Sequence, residues 1–175
     1  MGFFKVKNLF GFLVIVALPA ATFAVTRPVC KCGPVSPESY TWNFSKEAEG
    51  LLKQVNVDAY RVASLADTVN SFDFEREYVS WQDDASLLSR EKARVNDMDQ
   101  KLCRLRLIER VLPANQKAEI NSIEPAIIEA TDTTQAAITY LARHEDQVIF
   151  PKYEAFAPEI AADAARIQTA TSNAG

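Results

Sequence analysis

The sequence predicts an all-α protein, an antiparallel up-and-down bundle of three long helices followed by a short C-terminal one. Apolar residues recur at three- and four-residue spacing over long windows, which is the signature of helices with one buried face. No segment sustains the period-2 alternation of a strand, and only 5 glycines occur in 175 residues, too few for a run of tight hairpins. The same scarcity removes the glycine-rich loops that cradle phosphates, so no nucleotide-binding fingerprint is present.

The chain opens as an export signal over residues 1–24. Lys5 and Lys7 precede an apolar run, Pro19 ends it, and Thr22-Phe23-Ala24 supplies the small residues of a cleavage site. An uncleaved inner-membrane anchor is the alternative, since residues 9–25 approach the roughly 17 to 25 residues of a spanning helix. Cleavage would remove two lysines and no acid, moving the formal charge from -4 to -6. An acidic chain with no basic block argues against nucleic acid and anionic lipid as partners; membrane contact is expected only through residues 9–25 if the signal stays.

Residues 25–42 hold Pro28, Pro34 and Pro37 with no apolar period, and read as an extended leader. The bundle domain is expected over 43–170, with a frayed tail at 171–175. Helix one begins at Asn43 or Phe44 and carries Leu52, Val55, Ala59, Val62, Ala66 and Val69 to its end near Asn70. Ser80 caps helix two, its hydroxyl accepting from an orphan amide while Asp83 favours the positive helix start. The stripe Leu88, Val95, Met98, Leu102, Leu105 and Ile108 then runs to a stop at Pro113.

Helix three follows from Ala114 through Ile120, Ile127, Ala137 and Leu141 to Val148, with a kink or break expected near Asn121 to Glu124 because Pro125 lies inside it. The last helix is expected at Pro158 to Thr169. Helix one adds Leu52, Ala59 and Ala66 beside its main seam, a stripe too wide for a two-helix coiled coil, so a bundle is favoured. A turn at Pro113 and Ala114 pairs helices two and three at positions whose numbers add to roughly 227.

That register brings the only histidine, His144, opposite Asp83, with Asp84 and Glu145 beside it: a candidate set for a divalent metal, outweighed by an ordinary ion pair or hydrogen bond at a bundle end. Met98 lies too far along the bundle to share an iron with His144, and neither covalent-haem nor di-iron spacing is present, so no cofactor is expected. No activated nucleophile accompanies Asp83 and His144, and the chain does not read as an enzyme. Phe72, Phe74, Tyr78, Trp81, Tyr140, Phe150, Tyr153 and Phe156 gather at the same end, as a plug of rings or as the lining of a small apolar site. Cys30, Cys32 and Cys103 are odd in number. In an oxidising compartment one leader cysteine can pair with Cys103 or with another chain, or Cys30 and Cys32 can hold a soft metal, but an unpaired or non-specifically oxidised leader is the favoured reading.

Ser80-Trp81, Ala85 and Leu88, then Val95-Asn96, Met98 and Leu102-Cys103-Arg104-Leu105, resemble the matching segment of short exported all-helical proteins of soil bacteria, notably acidobacterial ones. The resemblance implies an exported bacterial helical protein and carries no activity or site. The function expected from the sequence is therefore contact with another protein or self-association in the envelope. The alternative is a periplasmic module holding a small apolar ligand or a divalent metal at the aromatic and His144 end.

Overall fold

The computed structural model describes residues 42–72, 80–144 and 151–172. The export signal at 1–24, the leader up to residue 41, Cys30, Cys32, Phe74, Tyr78, Glu145, Phe150 and the tail from residue 173 lie outside the described residues, as does the side chain of Phe72. Five helices are described: α1 (Phe44–Phe72), α2 (Trp81–Ile108), α3 (Ala114–Leu141), α4 (Pro151–Glu154) and α5 (Phe156–Ser172). A single 3-10 turn, Glu109–Val111, leads from α2 into the α2–α3 connection.

Local chemistry accounts for the helix ends. The Asn43 side chain accepts from the Lys46 amide at 3.0 Å and so satisfies one of the orphan donors at the start of α1. At α2 the Asp83 carboxylate accepts from the Ser80 hydroxyl at 2.8 Å and the Ser80 amide at 3.3 Å. The Ser80 hydroxyl thus donates in these contacts, and the carboxylate of the third helical residue reaches back to the cap. Pro113 stands in extended conformation just before α3, where its fixed φ starts a helix and its missing N–H costs nothing.

Around the bundle, α1 packs between α2 and α5, and α3 between the same two, so that α1 and α3 lie across a diagonal. The directions alternate. Glu47 pairs with Arg104 while Asp58, later in α1, pairs with Lys101 and Arg94, earlier in α2. Between α2 and α3, Arg106 donates to Asn121 at 2.8 Å, on the register expected for a turn at Pro113 and Ala114. The result is the expected antiparallel all-α bundle, and not the two-helix coiled coil.

Three details depart from the sequence reading. α3 passes through Pro125 without the break that was one of the two expected outcomes there; Pro125 and Asn121, whose carbonyl the proline leaves without its usual partner, are both on the exposed side where water can serve. It also ends at Leu141, short of Val148, so His144 follows the helix in a turn closed by its own amide donating to the Leu141 carbonyl at 3.1 Å. The last helix runs past Thr169 to Ser172, because its C-terminal turn is tied down: Asn56 donates to the Thr171 hydroxyl at 2.6 Å and to the Gln168 carbonyl at 3.3 Å.

The main core joins Val55 and Val62 of α1, Met98 and Leu105 of α2, Ile123 and Ile127 of α3, and Ile160 and Ile167 of α5. Two smaller clusters lie toward the other end, one holding Leu88, Ala137, Leu141 and Tyr153 and the other Val69, Leu87 and Ala157. On α2 the residue between Leu88 and Val95 on the buried face is Glu91; on α3 the one between Ala130 and Ala137 is Thr134. A polar layer thus divides the apolar interior.

Candidate functional site

The aromatic end is built on the C-terminal end of α3 and the chain that returns into α5. Tyr140 stacks on His144 at 4.4 Å between ring centroids and on Tyr153 at 6.2 Å, and Phe156 meets Tyr153 edge-on at 6.3 Å. These rings and the partly buried Trp81 pack on the Leu88 and Leu141 cluster, which makes a plug for the widening end of the bundle. His144 Nδ1 lies 2.9 Å from the Tyr140 carbonyl. A carbonyl only accepts, so Nδ1 carries the proton and the ring is held by its own helix end.

The metal candidates are dispersed by comparison. Asp83 is exposed and engaged with Ser80, Asp84 is buried on α2, and His144 is committed to Tyr140 through one ring nitrogen. Glu145 lies outside the described residues. Among the described residues no group of three or more His, Cys, Asp or Glu side chains is placed to hold a metal ion. Cys103, half-buried on α2, is disulfide-bonded, and no second cysteine occurs among the described residues. Among those residues, too, no helix is long and apolar enough to cross a membrane.

Glu91 is the most unusual ionisable group. Its side chain is 0 % exposed and neither carboxyl oxygen has a hydrogen-bond partner among the described residues. Burial raises its pKa from 4.5 to about 8, because a carboxylate there would lose its hydration with no cation to replace it. At neutral pH the group is therefore a protonated carboxylic acid. The Thr134 hydroxyl of α3 is likewise buried with no partner.

The seam between α1 and α2 carries the densest charge. Asp58 is only 5 % exposed, yet Lys101 Nζ lies 2.8 Å from it and Arg61 and Arg94 each lie 3.7 Å away. Lys53, Val57 and Arg61 recur every four residues along α1, so they share one face and form the near wall of a groove of about 400 Å³. Arg94, Asp97 and Lys101 of α2 form the far wall. Four cations and two carboxylates line it, a local surplus of positive charge on a chain whose formal net charge is -4. Val57 in its wall is 48 % exposed and Tyr60, one turn on along α1, 65 %, two of the few large apolar side chains that the described surface leaves in water.

Further along the same seam, Glu47 accepts from Arg104 at 2.7 Å and from the Trp42 indole at 2.5 Å. The Arg104 guanidinium holds the Glu47 carboxyl below its ordinary value. Sequence reasoning singled out neither this seam nor Glu91. Both had a signal: Lys53, Val57 and Arg61 mix an apolar residue into a polar face, and Glu91 falls on the apolar stripe between Leu88 and Val95.

No protein-family model matches the chain, and neither the curated proteins nor the solved structures contain a significant match to it.

Proposed function

We propose that this chain is an exported, non-enzymatic helical-bundle protein of the bacterial envelope that works by contact with an acidic face of another protein or of a second copy of itself. The contact surface is the α1–α2 groove, with Val57 in its wall, and Tyr60 one turn on along α1. One observation carries the reading: a two-thirds exposed tyrosine and a half-exposed valine sit next to a surplus of cations on an otherwise acidic molecule. Exposed apolar side chains flanked by charge are the usual composition of a contact site, the rings supplying buried area and the charges steering the encounter. The amino-terminal signal supports export, as does the disulfide at Cys103, a bond that persists in oxidising compartments and is rare in reducing ones.

Placing a photocrosslinking residue at Tyr60, and in a parallel variant at the exposed Ala162 of α5, tests the surface directly in the producing cell. The reading expects a discrete adduct from position 60 and none from position 162. Equal labelling from both positions, or none from either, would sink it.

A further inference from the structure

A cavity of about 290 Å³ opens between α2 and α3, lined chiefly by Trp81, Ala85, Leu88, Lys92, Ile138 and Leu141. Its origin is in the sequence. Ala85 on α2 and Ala142 just after α3 are small residues in a lining that also holds Trp81, Leu88, Ile138 and Leu141, and a small side chain leaves space that a larger one would fill. The volume equals that of about ten water molecules, at the lower end of small-molecule sites, and apolar side chains dominate the wall. Lys92 stands on the same wall with the Ser89 hydroxyl one turn before it. Lys92 is exposed and makes no ion pair among the described residues, so its ammonium is available at the cavity while its alkyl stem extends the apolar lining. The carboxylates offered as metal ligands, Asp83 and Asp84, are not among the lining residues, and neither is His144.

We infer that this cavity is a binding site for a small amphiphilic monoanion, an apolar body of about ten non-hydrogen atoms ending in one carboxylate. The body lies against Trp81, Leu88, Ile138 and Leu141; the carboxylate meets Lys92 at the rim, with Ser89 as a second donor. A cation placed beside an apolar slot selects against neutral alcohols by the lost charge pair, and against alkyl amines by repulsion. Nothing in this site depends on the α1–α2 contact surface, which uses α2 as well but shares no lining residue with the cavity.

Trp81 supplies the readout. In a Trp42→Phe background, which leaves Trp81 as the only tryptophan, octanoate is titrated into the full bundle while indole emission is followed, with octanol and octylamine in parallel. Octanoate is expected to give a saturable change at millimolar concentration or below, octanol to bind about fivefold more weakly, and octylamine more weakly again. Lys92→Gln, on the surface, is expected to bring octanoate to the level of octanol. Ala85→Phe fills the cavity and is expected to abolish both responses; Ala85→Leu does the same if the larger ring disturbs the fold. No saturable response to octanoate, equal affinity for octanoate and octanol in the parent, or binding unchanged in Lys92→Gln or in both Ala85 variants would each overturn the inference. None of these outcomes bears on crosslinking from Tyr60, so the two readings fail separately.

Discussion

Lys101 of α2 reaches Asp58 of α1 at 2.8 Å, and it does so where Asp58 is almost wholly shielded from water. A buried carboxylate needs such a partner, and here it has three cations around it. Removing the acid therefore does more than lose a bridge. Asp58→Ala is expected to destabilise the bundle by about 3 kcal/mol, because the cations gathered there are left to repel one another. Lys101→Met should cost less, since Arg61 and Arg94 remain near the carboxylate. Urea unfolding of the two single variants and the double variant measures the coupling; an additive cycle would mean that the pair contributes nothing of its own.

Glu91 sets the pH dependence. Its pKa is about 8 in the fold against an ordinary 4.5, so the folded state holds a proton that the unfolded chain has released. Stability is then highest at and below about pH 4.5 as far as this group is concerned, and falls as pH rises toward and through about 8. At 1.4 kcal/mol per pKa unit the loss amounts to about 5 kcal/mol by pH 9. Glu91→Leu removes the titrating group, and its denaturant midpoint should change less between pH 6 and pH 9 than that of the parent. Parallel pH profiles for the two proteins would refute the assignment.

The disulfide at Cys103 has a chemical consequence for the whole chain. With only three cysteines present, peptide mapping without reductant is expected to recover Cys103 joined to a peptide carrying Cys30 or Cys32, with one thiol left alkylatable. Reduction should lower stability by about 2 to 4 kcal/mol, as for other bonds that close loops of this kind. A Cys103 that alkylates freely in the oxidised protein would contradict the bond.

Gly50 lies within α1 at an ordinary helical φ, and a Cβ built there meets nothing within 4 Å. Gly50→Ala should stabilise the protein by about 0.5 to 1 kcal/mol by lowering the entropy of the unfolded chain. Thermal unfolding reads this directly, and a lower midpoint would show that the site is more crowded than its geometry indicates.

Helix positions and register were legible in the sequence because they follow from periodicity, caps and one proline-marked turn, all local or nearly local signals. What was not legible depended on tertiary contacts. Thr171 looked like a fraying tail residue until Asn56, far away in the chain, was seen to hold it. The apolar pattern continues over His144 to Val148, but the helix ends at Leu141. Glu91 sits on a seam position that any helix could have turned slightly outward, and only the packing of the other helices shows that it did not. The cations around Asp58 come from two helices at a crossing whose register the α1–α2 connection does not encode.

Charge reversal on the α1–α2 face separates a working contact surface from an inert one. Tyr60-centred crosslinking is to be quantified in the parent chain, in Lys53→Glu, which reverses a groove cation that does not touch Asp58, and, as a control, in a variant reversing the exposed Arg143. Lys53→Glu is expected to remove most of the adduct, rising salt to weaken adduct formation in the parent, and the Arg143 variant to behave as the parent does. Adduct yields that are the same in all three proteins and insensitive to salt would contradict a working surface there.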